Sequence, residues 1–70
     1  MSEAFNMSMR KFLKQVGVTS QQAIEEAMRS AGPEAAGKSY RATMVLRIDE
    51  LDLEHVVEGR IEAPEGEQQA

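Results

Sequence analysis

The sequence predicts an α+β fold in which two N-terminal helices pack on a C-terminal antiparallel β-hairpin. Three observations lead there: apolar residues at helical spacing between Phe5 and Ala31, strict alternation from Tyr40, and the return of that alternation in the opposite phase from Leu53.

The first helix is read from its wheel. At roughly 100° per residue, Phe5, Met9, Phe12, Leu13 and Val16 fall within an arc of about 100°, and Lys11 and Lys14 lie opposite. Gly17 follows the last periodic residue and suits the left-handed C′ position. It would set Val18 against Leu13, as in a Schellman stop.

The second helix is predicted to begin at Thr19. Thr19-Ser20-Gln21-Gln22 has capping-box spacing, with the Thr hydroxyl accepting from the Gln22 backbone and the Gln22 side chain answering back. Ile24, Ala27, Met28 and Ala31 form its apolar stripe, and Gly32-Pro33 ends it. The connection over Gly17, Val18 and Thr19 is short enough for two packed neighbours. Gly32 to Lys38 reads as a linker, with Gly37 turning into the next element.

From Tyr40 the period becomes two. Tyr40, Ala42, Met44, Leu46 and Ile48 share one strand face, and Leu53, Val57 and Ile61 share the matching face of a second strand. Pairing partners whose numbers sum to 101 joins the apolar faces, sets Val45 beside Val56 and Arg47 beside Glu54, and leaves Arg41 opposite Arg60. Asp49 to Asp52 makes the turn. Beyond Ala63 the polar Pro-Glu-Gly-Glu-Gln-Gln-Ala offers nothing to bury. The predicted organisation is a single domain over residues 1–63 and a disordered acidic tail over 64–70.

A chain of this size buries only ~60% of its unfolded surface, so the predicted core calls for outside support. Disulfides are excluded because the sequence has no cysteine, and a structural zinc site is excluded because His55 is the sole histidine. Association remains, and a homodimer joined along a hairpin edge would make a four-stranded sheet. No metal or other cofactor is expected.

The net charge of −4 is unevenly spread, with +1 over residues 1–32 and −5 over residues 33–70. An acidic chain repels phosphate backbones, which disfavours nucleic acid as a partner. Arg10, Lys11 and Lys14 interrupt the apolar residues near the N-terminus, so no signal peptide or membrane span is read there. With no cysteine as well, the expected setting is cytoplasmic, away from a membrane.

Each candidate site competes with a plainer reading. His55 is the one imidazole in the sequence, but no nucleophile accompanies it, and a lone histidine on an apolar face usually serves packing. Glu54, Glu58 and Glu62 recur along one strand face, where Arg41, Arg47 and Arg60 would neutralise them. Helix, Gly-Val-Thr, helix suggests a degenerate helix-turn-helix, and a hairpin after two helices has a winged-helix look. Yet Glu25 and Glu26 face a single Arg29 on the would-be recognition helix. Met7 lies about 200° from Phe5, among the cations Arg10, Lys11 and Lys14, as an adaptable apolar contact. Glycine loops for phosphate, calcium loops and nucleophile elbows are not found.

The run Ala4-Phe-Asn-Met-Ser-Met-Arg-Lys-Phe-Leu-Lys-Gln-Val-Gly-Val-Thr-Ser-Gln, with Leu53-Glu-His-Val-Val-Glu-Gly, resembles a family of short uncharacterised proteobacterial proteins, a domain of unknown function. The resemblance implies a bacterial source and no assigned activity. The residues themselves point to a non-enzymatic protein–protein interaction module, with an unidentified protein partner meeting Met7, Arg10, Lys11 and Lys14, and Val45 and Val56 as a second surface or dimer contact. The alternative is a DNA-binding accessory protein.

Overall fold

The structure is a computed structural model that describes residues 1–65. It divides into two units, Met1–Gly32 and Pro33–Ala70. The fold is α+β: one long helix, then an antiparallel hairpin.

The first unit is helix α1, Glu3–Ala31, unbroken over 29 residues. Ser2 caps it in extended conformation, its Oγ accepting from the Phe5 N–H at 3.0 Å, and Glu3 adds a negative charge to the first turn. Gly32, at φ +83°, lies just past its end.

The prediction of two helices is thus corrected to one. Thr19 does not cap a new helix; its hydroxyl donates to the Gln15 carbonyl one turn back, at 2.9 Å. Gly17 stays helical, with a negative φ. The physical reason lies in relative costs. A glycine inside a helix costs about 1 kcal/mol against alanine, whereas a break strips partners from several backbone groups on each side, each worth roughly 0.5–1.5 kcal/mol. Lys14, Gln15, Gln21, Gln22 and Ala23 flank the site and favour helix.

The second unit opens with a 3₁₀ turn, Pro33–Ala35, in the segment predicted as a plain linker. Strands β1, Ser39–Ile48, and β2, Leu53–Glu62, follow and pair antiparallel. Their register is the predicted one: Val45 faces Val56, Arg47 faces Glu54 and Arg41 faces Arg60. The like-charged pair is relieved because Arg60 turns to Ser39, donating to its Oγ at 2.9 Å and to its carbonyl at 3.4 Å. The turn predicted over Asp49–Asp52 is a 3₁₀ turn at Asp49–Leu51 closed by Asp52 in the left-handed region, whose N–H donates to the Asp49 carbonyl at 3.1 Å.

The ladder runs past the strands at the open end. Ala63 donates to the Lys38 carbonyl at 2.8 Å, and Gly37, at φ +72°, donates to the Pro64 carbonyl at 3.0 Å. Pro64, assigned by sequence to the tail, is therefore tied to the hairpin. The remainder of the predicted disordered tail, from Gly66, lies outside the described residues.

Among the described residues, Ala35 and Ala63 are the buried apolar ones, and Tyr40 Oη donates to the Ala35 carbonyl at 3.3 Å. The face predicted as core is not buried: Ala42, Leu46 and Ile61 are half-buried, while Tyr40, Met44, Leu53 and Val57 are exposed. A two-stranded sheet is a single layer, and a single layer buries neither of its faces by itself.

Candidate functional site

Continuity of α1 fixes the geometry of its candidate residues. Met7, Arg10, Lys11 and Lys14 stand at spacings of three, four and seven, so the helix stacks them on one face. Between them they leave an open, shallow cleft on the surface of that one helix. Met7 is 63% exposed and forms the apolar part of the surface, together with the methylene stems of the cations. Among the described residues, the ion pairs are Arg29–Glu26 at 2.7 Å and Arg47–Glu54 at 3.8 Å, and neither involves Arg10, Lys11 or Lys14. The cleft is cationic and its charge is not cancelled by a paired carboxylate.

Farther along the helix, the hydrogen bond from Arg29 to Glu26, followed by the charge of that carboxylate, holds the Arg29 guanidinium above its ordinary pKa. The partner is one turn away on an exposed surface, so the pair is local support for the last turns.

The apolar stripe lies on the other side of α1. With Phe5 at zero, Val16, Met9 and Leu13 follow at about 20°, 40° and 80°, and the cleft residues occupy about 140° to 240°. Because the helix does not stop at Gly17, Ile24, Ala27 and Ala31 come round at about 100°, 40° and 80° and Ala23 joins them at about 0°, whereas Met28, read with them from the sequence, falls at about 140° beside Arg10. Met28 apart, the two stripes read separately from sequence are one stripe. Carrying the wheel through Gly17 reveals this alignment, which treating Thr19 as a cap hides.

In the second unit Val45 and Val56 are direct cross-strand partners, 48% and 47% exposed. On the same face Thr43–Glu58 and Arg47–Glu54 flank them, so the valines form a small apolar spot framed by polar pairs. His55 faces Leu46 and is exposed, so the expected packing role is not what the hairpin gives it. Glu54, Glu58 and Glu62 face Arg47, Thr43 and Ser39. Among the described residues, no group of three His, Cys, Asp or Glu side chains is placed to hold a metal ion.

A helix-turn-helix needs a turn at Gly17–Thr19, and those residues are helical. No helix among the described residues is long and apolar enough to cross a membrane.

A model for a family of unknown function, DUF6494, matches residues 1–64. The chain belongs to that family. The DUF6494 match takes in the residues of α1 and of both strands and ends at Pro64. No curated protein and no solved structure matches the chain.

Proposed function

We propose that the chain is a small protein-interaction module that binds rather than catalyses, and that its partner presents an acidic segment to Met7, Arg10, Lys11 and Lys14. The single observation that supports this reading is the gathering of those four residues around one open cleft, with none of the three cations in an ion pair among the described residues. Cations of this kind attract carboxylates at long range and fix orientation, while Met7 adapts to whatever apolar group lies beside them. The Val45–Val56 spot is the second surface in this reading, and the outer strand edges offer unpaired backbone groups to an added strand. The reading places the module in a bacterial cytoplasm, where a chain without cysteine is indifferent to reducing conditions.

The test is cross-linked capture from a native lysate with the full chain and with a Lys11→Glu, Lys14→Glu variant. One recurrent protein, captured by the first and lost by the second, is the expected result. An identical capture profile for both removes α1 from the proposal. A parallel titration with random duplex DNA at low salt separates the two macromolecular readings, because nonspecific DNA binders hold duplex at ~10⁻⁴–10⁻⁶ M even at physiological salt. A shift at tens of micromolar would replace the protein reading with the nucleic-acid one.

A further inference from the structure

The apolar stripe of α1 is exposed along its length: Phe5, Met9, Phe12, Leu13 and Ile24 each keep about two-fifths to a half of their surface in contact with water, Phe12 the most at 52%. We infer that a second copy of this chain covers it, its α1 lying antiparallel to the first.

Shape is the first argument. Phe5, Met9, Phe12 and Leu13 sit in the N-terminal half of the stripe, and the C-terminal half is alanine but for Ile24. Reversing the helix about position 18 brings Phe5 beside Ala31, Met9 beside Ala27 and Leu13 beside Ala23, pairing a large residue with a small one each time. Phe12 meets Ile24 in the same register. The stripe maps onto itself under this reversal, as a two-fold interface requires. A parallel pair would instead stack phenylalanine on phenylalanine at one end and alanine on alanine at the other, overfilling one half and leaving voids in the other.

Charge is the second argument, and it is independent of shape. Within α1 the first half carries Arg10, Lys11 and Lys14 against Glu3, a net +2, and the second half carries Glu25 and Glu26 against Arg29, a net −1. Antiparallel alignment brings halves of unlike charge nearer than parallel alignment would, a long-range and salt-sensitive preference because Arg10, Lys11, Lys14 and Glu25 lie on the side turned away from the contact.

Area decides how tight the pair is. A strip along a helix ~44 Å long and ~10 Å wide covers on the order of 450 Å² per chain, about 900 Å² for the pair, just short of the ~1,000 Å² expected of a specific interface. The contact is therefore reversible and concentration-dependent. It leaves the cationic cleft facing outward on both copies, so it goes beyond the proposed function without competing for the same residues.

The absence of cysteine makes the test clean. The full chain is sedimented over a hundredfold concentration range, and two single variants, Met9→Cys and Ala27→Cys, are oxidised alone and as a mixture. Mass rising from 7.8 kDa toward twice that value, with a covalent dimer in the mixture and little in Met9→Cys alone, is the expected result. Phe12→Cys mixed with Ile24→Cys is the second pair, used if circular dichroism shows that either of the first two has lost helix. Strong cross-linking of Met9→Cys to itself would mean parallel helices and overturn the proposal. A dimer that neither mixture cross-links would mean a contact elsewhere, such as the hairpin edge, and would overturn it too. So would a constant 7.8 kDa species. Lys11 and Lys14 lie outside the contact, so the capture experiment can fail or succeed independently.

Discussion

The hydroxyl of Thr19 donates to the carbonyl of Gln15 across 2.9 Å, one turn back along a helix that does not stop. The same hydroxyl would accept from Gln22 if a second helix began there. Which way it points decides whether the N-terminal half is a hairpin of helices or one rod.

Gly17→Ala tests this locally. Gly17 is helical with nothing within 4 Å of an added Cβ, so alanine should stabilise the fold by about 0.5–1 kcal/mol, a rise in Tm of several degrees for a domain of this size. Were Gly17 a left-handed stop, alanine would be strained and Tm would fall. Thermal melts followed at a helix wavelength read the sign.

The N-cap carries its own prediction. Ser2→Ala removes the acceptor for the Phe5 N–H and should cost ~0.5–2 kcal/mol in local helix stability. Amide exchange at Phe5 should accelerate while that of Ala23 is unchanged, which separates fraying from global unfolding.

In the hairpin, two positions with positive φ should respond in opposite directions. Gly37→Ala, at φ +72°, should destabilise by about 1 kcal/mol because the left-handed region crowds a Cβ. Asp52→Gly, at φ +53°, removes that crowding and should be neutral or slightly stabilising. Chemical denaturation monitored through Tyr40 reports both.

On the cationic cleft, Lys11→Glu with Lys14→Glu reverses two exposed charges. At ~0.2–1 kcal/mol per exposed charge pair, affinity for an acidic peptide should fall about tenfold, and the loss should shrink as salt is raised. Isothermal titration at two ionic strengths measures it. A loss that does not depend on salt would point to packing instead.

Much of the hairpin was legible in the sequence because strand pairing has few degrees of freedom. Alternation fixed the faces, and the cost of setting Val45 beside Glu54 selected the register that puts Val45 by Val56 and Arg47 by Glu54. The relief of Arg41 and Arg60 by Ser39 was not legible, since it depends on a side chain turning along its strand. Neither was the burial of Ala35, whose segment has no periodic face and is fixed by Tyr40 and by the Gly37–Pro64 hydrogen bond.

The continuity of α1 was not legible for a definite reason. Gly17 and Thr19 carry stop and start signals that are equally compatible with a continuous helix, and local sequence holds no term for the backbone bonds a break would forfeit. Met7, Arg10, Lys11 and Lys14 all precede Gly17, so their stacking on one face does not depend on whether the helix continues. The alignment of the two apolar stripes was not legible, because it exists only if the helix passes through Gly17 unbroken.

A distance along α1 therefore tests the account most directly. Spin labels at Ser8→Cys and Ser30→Cys in one chain, diluted with unlabelled chain, lie 22 residues apart. A continuous helix at ~1.5 Å per residue predicts a separation near 33 Å with a narrow distribution. A separation under ~20 Å would mean that the chain folds back at Gly17, and would contradict both the single stripe and the antiparallel pair built on it.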